Sequence, residues 1–160
     1  VGESVHKFSK WNQGEASVWG MTKAKMDVSA MELFAWLWVL TTYRKKAEHK
    51  EGNGDLPRAV WENLDGTRSL QLTKCVKFPQ GISNRYFELW ITWEARTLED
   101  GSKEYIIAFV PMSDYVGKTH HTLKGTDGMI KGLSKGVHVV KELTKHTCAW
   151  TWIQVRVYYK

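Results

Sequence analysis

The sequence predicts an α+β domain built on a largely antiparallel sheet, and three observations point that way. Over residues 86–95 the chain alternates. Phe87, Leu89, Ile91, Trp93 and Ala95 fall on one face, and Glu88, Thr92 and Glu94 fall on the other with Tyr86 and Trp90. An Asp100-Gly101 turn then leads into a second strand, Glu104 to Met112, which makes the pair a hairpin. Finally, a single clear helix accompanies some seven strand-like runs, most of them separated by turn residues rather than by further helices.

The elements follow in order. Residues 1–15 are mixed and polar and read as an N-terminal arm, with one domain over 16–160. Ser17 to Asp27, rich in Val18, Trp19, Met21 and Met26, reads as a strand. Ser29 with Glu32 three residues on is a capping box, and the apolar run after it predicts a helix reaching Arg44, whose final cations Arg44, Lys45 and Lys46 suit the negative end of the helix dipole. Glu48 to Asp55, with Gly52 and Gly54, reads as a polar loop. Arg58 to Leu64 and Thr67 to Phe78 form a hairpin about Asp65-Gly66, and Pro79-Gln80-Gly81 breaks the chain before the main hairpin.

After Pro111 the pattern weakens. Lys118 to Lys124 is a candidate strand, and four glycines interrupt 125–136. Val137 to Leu143 and Thr147 to Tyr159 alternate as two more strands. In the last, Ala149, Thr151, Ile153, Val155 and Val157 share one face, and Trp150, Trp152, Gln154, Arg156 and Tyr158 the other.

At 160 residues the chain can form one domain burying roughly two thirds of the surface of its unfolded state. Nine Trp within 12% aromatic residues exceed what packing ordinarily requires, so a broad apolar surface is being lined or filled. The net charge of +6 comes from scattered Lys and Arg, which reads as a solvated surface with a mild attraction to anionic membranes. The aromatic residues alternate into apolar strands instead of interleaving with cations, which argues against nucleic acid. Cys75 and Cys148 have no metal-ligand spacing, no Asn-x-Ser/Thr sequon occurs, and no apolar run approaches the ~20 residues that span a bilayer. The expectation is a cytoplasmic address, with membrane association through the basic surface. The chain opens at Val1 without a signal pattern, so it reads as part of a longer protein.

In order and spacing, four markers resemble the START family of lipid-binding, helix-grip domains. They are Asp27-Val28-Ser29 before an aromatic-rich helix, Phe78-Pro79 leading to Ser83-Asn84-Arg85-Tyr86-Phe87, the paired strand Tyr105 to Met112, and Thr147-Cys148-Ala149-Trp150-Thr151-Trp152-Ile153 near the end. The resemblance spans about residues 16–159. It implies a curved antiparallel sheet wrapped around a long C-terminal helix, with a sterol, phospholipid or other apolar ligand between them. The sequence ends at Lys160, directly after the strand that should precede that helix, so the expected fold lacks its grip helix and another element, a partner subunit or the rest of a parent protein is expected to cover the sheet.

With Arg85 at the family's motif position, Phe87, Leu89, Ile91 and Trp93 are the strand face turned to the ligand, joined by Ile107 and Phe109 of the paired strand. A filled core is the alternative for the same face. Arg85 would meet a polar head group, or pair with Glu88 or Glu94 for structure alone. Other chemistry is poorly supported. Gly117-Lys118-Thr119 lacks the first glycine of a phosphate loop, because Met112 stands there. The adjacent His120 and His121 point oppositely on a strand and cannot chelate one metal. Glu88 and Glu94 would lie roughly 20 Å apart on one strand, too far for a catalytic pair. The expectation is therefore a non-enzymatic module without cofactor or metal, binding a lipid or other apolar molecule, or else a ligand-free scaffold of the same fold.

Overall fold

The computed structural model describes residues 5–11, 17–62, 68–117 and 119–157. Nine strands and two helices run in the order β1 (His6–Trp11), β2 (Ser17–Met26), α1 (Ala30–Trp38), α2 (Tyr43–Asn53), β3 (Arg58–Glu62), β4 (Ser69–Val76), β5 (Arg85–Thr97), β6 (Lys103–Pro111), β7 (Ile130–Lys131), β8 (Leu133–Thr144) and β9 (Thr147–Val157). The strands form one open, curved sheet in the order β1-β2-β9-β8-β6-β5-β4-β3. Every pairing along that path is antiparallel; the two-residue β7 alone pairs in parallel, against the start of β5. No helix among the described residues is long and apolar enough to cross a membrane.

The central hairpin forms as the alternation predicts, with Leu89 opposite Pro111, Ile91 opposite Phe109 and Trp93 opposite Ile107. Leu89 and Ile91 are each 6% exposed, which puts the apolar face inward and fixes the register, since a slip of one residue would invert every side chain. Residues of the polar arm form β1, the edge strand paired with β2 from His6 opposite Lys23 to Trp11 opposite Val18. The Asp65-Gly66 turn and Lys118 lie outside the described residues.

The expected helix from Ser29 to Arg44 divides into two. Its start is as read: the Ser29 side chain accepts from the Glu32 N–H at 3.3 Å, and the Glu32 carboxylate accepts from the Ser29 N–H at 3.1 Å. It stops at Trp38, with Val39 extended and its N–H donated to the Ala35 carbonyl. Thr42 then begins a new helix by accepting from the Lys45 N–H. Arg44, Lys45 and Lys46 therefore sit in the first turn of α2 and not in the last turn of α1. Most of the expected 48–55 loop is the remainder of α2, closed by Gly54 at φ +66°. No residue of α2 is buried, so hydrophobic periodicity could not reveal it.

Residues 119–124 form no strand. They belong to a long connection, 112–129, that covers the outer face of β3–β5. His121 stacks on Trp61 at 5.1 Å, and its backbone N–H and carbonyl bond the side chain of Gln71 at 2.9 and 2.6 Å. Tyr115 stacks on Trp90 at 5.3 Å. Gln71, Thr73 and Cys75 beneath this cover are completely buried, and Glu88 meets His120 of the cover (3.6 Å) and Lys131 of β7 (2.5 Å). Glu88 thus pairs with Lys131 on the convex side, where the sequence reading offered it to Arg85.

Candidate ligand cavity

The concave face is filled at one end and hollow at the other. At the filled end α1 lays Leu33 and Phe34 against Tyr105, Val140 and Cys148, and Phe34 meets Tyr105 at 4.8 Å and Trp93 at 5.1 Å between ring centroids. Trp38 closes on Trp93 from the side at 6.3 Å. Past these rings α1 has ended, and the polar α2 crosses over the sheet without an apolar face to seat in it. A cavity of about 500 Å³ results, within the roughly 300–1,000 Å³ of small-molecule sites.

Phe87, Leu89, Ile91, Ile107 and Phe109, five of the seven residues expected at the site, line this cavity together. The other two do not. Trp93 belongs to the filled end, clasped by Phe34 and Trp38 with the Arg68 guanidinium 5.0 Å from its ring. Arg85 opens β5 with its guanidinium 4.5 Å from the ring of Phe78, outside the lining. The strand is 13 residues long, too long for both of its ends to reach one pocket.

Sequence reasoning missed the polar wall. Ser134 and His138 of β8 and Trp152, Gln154 and Arg156 of β9 face the cavity, as do Arg58 of β3 and Lys74 of β4. Gln154 donates to the Ser134 hydroxyl at 2.7 Å, and Arg58 donates to the Leu40 carbonyl at 2.8 Å. One signal was present in the sequence: Lys74 stands in the inward series Leu70, Leu72, Lys74, Val76, a charge on an otherwise apolar face. For β9 no such signal existed, because both of its faces carry large apolar side chains.

Two titrations are moved by this setting. His138 packs beside the rings of Trp150 (6.0 Å) and Trp152 (5.5 Å), both nearly parallel to it and 6.3 Å from each other, and its Nδ1 accepts from Trp150 Nε1 at 3.3 Å. Burial lowers its pKa from 6.5 to about 4, so the ring is neutral at pH 7 and carries its proton on Nε2. Burial, with Arg156, Arg58 and Lys45 nearby, lowers Lys74 from 10.5 to about 8. The acid that lines the cavity, Glu48, is held by Arg44 at 3.0 Å and Lys45 at 3.5 Å. Among the described residues no group of three or more His, Cys, Asp or Glu is placed to hold a metal.

No protein-family model matches the chain, and no curated protein matches its sequence. Solved structures do. The human StarD13 (DLC2) lipid transfer and protein localization domain superposes with a TM-score of 0.62 at 12% identity, over 99% of this chain and 77% of that one. A STAR-related lipid transfer protein from Xanthomonas axonopodis gives 0.59 at 15% identity, over 96% and 81%. Human StAR-related lipid transfer protein 5 gives 0.54 at 10% identity, over 99% and 75%. At such identities the likeness is one of architecture: a curved, largely antiparallel sheet with helices over its concave side, which gives this chain a START-like helix-grip fold.

Proposed function

We propose that this chain binds one apolar small molecule, a lipid or sterol, in the cavity between the sheet and its two helices, and that it does so without chemistry. The observation that carries the reading is the apolar wall itself: Phe87, Leu89, Ile91, Ile107 and Phe109 surround a volume of about 500 Å³ where α1 no longer fills the concave face. The structural neighbours named for lipid transfer support the same reading. A binding role also suits the polar groups present, since the lining carboxylate is occupied by two cations. Arg85 keeps a role at the strand opening rather than on the ligand. Exposed Trp36, Val39 and Tyr43 of α1, its end and the start of α2 stand near exposed Arg44 and Lys46 in the chain, a combination that suits contact with an anionic membrane during loading. The same reading takes 16–160 as the binding unit, cytoplasmic and within a longer protein.

The filled end favours a second reading, a scaffold that takes no ligand, because Phe34, Trp38, Trp93 and Tyr105 already pack as a core. Leu89→Trp separates the two. Leu89 sits in the cavity wall, so in a carrier the indole takes up ligand space, and lipid captured from vesicles should fall severalfold while the thermal melt stays near that of the wild type. If the region closes up in solution, the same ring overpacks it and costs about 1–3 kcal/mol. A destabilised variant together with a wild type that takes no lipid from vesicles would refute the carrier.

A further inference from the structure

The cavity carries a concentration of positive charge that its apolar walls do not require. Arg58 and Lys74 are directly opposite each other in the β3–β4 register and face the cavity together, an arrangement of like charges that destabilises a sheet. Arg156 reaches the same region from β9, and Lys45 comes from α2, its ammonium 3.3 Å above the ring of Trp36. Against these four cations the lining offers one carboxylate, Glu48, already bound to Arg44 and Lys45. Arg58 spends one nitrogen on the Leu40 carbonyl. Lys74 has no acidic partner among the described residues. A half-buried cation in this position costs stability unless an anion meets it.

We propose, resting on the ligand-site reading above, that the ligand is an amphiphile with an anionic oxygen head, a carboxylate or phosphate, whose head is held by Lys74, Arg58 and Arg156 while its apolar body lies along Phe87, Leu89, Ile91, Ile107 and Phe109. The chemistry is complementary at both ends. A carboxylate or phosphate accepts the forked Arg donors and the Lys ammonium, and the strands below offer an apolar trough with no acid on it. The depressed basicity of Lys74 agrees with an ammonium waiting for a counter-charge, since desolvation and three neighbouring cations all disfavour its proton. Neutral Gln154 and Ser134, already bonded to each other, complete the polar wall without adding negative charge.

The test is displacement of Nile red, a neutral reporter, from the full chain at pH 7 by palmitate, hexadecyl phosphate and hexadecanol, which share one chain and differ in the head. Both anions should compete at least tenfold more tightly than the alcohol. Lys74→Met should erase most of that preference while leaving hexadecanol within about twofold, and Lys74→Arg should retain it. Lys74→Met should also raise the melting temperature by roughly 3–6 °C, which guards against a folding defect. Equal competition by all three, unaffected by Lys74→Met, would overturn the anionic head and leave the apolar site standing; failure of all three to compete would overturn the ligand site itself. Inorganic phosphate is the remaining arm. Binding of it that depends on Lys74, with palmitate excluded, would assign the cations to a free oxyanion and overturn the amphiphile.

Discussion

Gly136→Ala is expected to destabilise the domain by about 3 kcal/mol, a large share of the roughly 5–15 kcal/mol that holds an ordinary domain together. Gly136 lies in β8 opposite Phe109 on one side and Gln154 on the other. A Cβ there would run into the carbonyl oxygen of Ile153, would stand 2.7 Å from the ring edge of Phe109 and would crowd the Gln154 Cα at 3.1 Å. Two of these three obstacles are backbone, so relief requires β8 and β9 to move apart or Phe109 to swing into the cavity. Urea denaturation should give a lowered midpoint with an unchanged slope. Gly20→Ala on β2 is the control, because its Cβ would meet nothing nearer than the Phe8 carbonyl at 4.0 Å. That change should be neutral or stabilising, by up to about 1 kcal/mol. Equal melts for the two variants would mean that the Phe109–Gly136 packing is not as close as described.

The second large effect is acid destabilisation through His138. The unfolded chain takes up a proton at this residue below about pH 6.5, whereas the folded chain holds it neutral until about pH 4. Between those values the unfolded state binds more protons, so stability falls as pH falls through the window and this contribution levels off below it. The loss is at most about 3 kcal/mol for a shift of this size, less where solvent reaches the ring edge. His138→Phe keeps an aromatic ring beside Trp150 and Trp152 but cannot titrate. The variant should carry a constant penalty above pH 6.5, from the lost bond of Trp150 Nε1, and should lose less stability than the wild type from pH 6.5 to 4. Parallel stability curves for the two proteins would refute the assignment. Carboxylates whose pKa is lowered by hydrogen bonds, such as Glu32 and Asp100, contribute their own acid loss, but equally in both proteins.

The polar α2 and the covering segment mark where sequence patterns lose their reach. Helix α2 reads Tyr-Arg-Lys-Lys-Ala-Glu-His-Lys, good helix formers with no apolar stripe, and what anchors it is hydrogen bonding. His49 Nε2 bonds the Leu56 carbonyl at 2.9 Å, and the Asn53 side chain accepts from the Lys77 N–H at 3.0 Å. A search for hydrophobic periodicity passes over such a helix, although Thr42 and Gly54 bracket it with a cap at each end. The connection that covers the convex face is equally silent, because one stacked His and one Gln tied to backbone atoms follow no repeat.

What the sequence determined by itself is the inward face of the central hairpin and the capping box that begins α1. Each rests on an interaction of short range or of strict period: alternation sorts Phe87, Leu89 and Ile91 from Glu88 and Glu94 without reference to anything distant. The tertiary structure alone decided which of those residues share one space. Trp93 lies on the same face as Leu89 and yet belongs to the filled end, because α1 ends at Trp38 and places Phe34 over that part of the sheet. The cations were likewise beyond local reading. Arg58 and Lys74 meet through the β3–β4 register, and Arg156 joins them from a strand 82 positions later in the chain than Lys74, so their common charge exists only once the sheet has curved to bring them to one cavity.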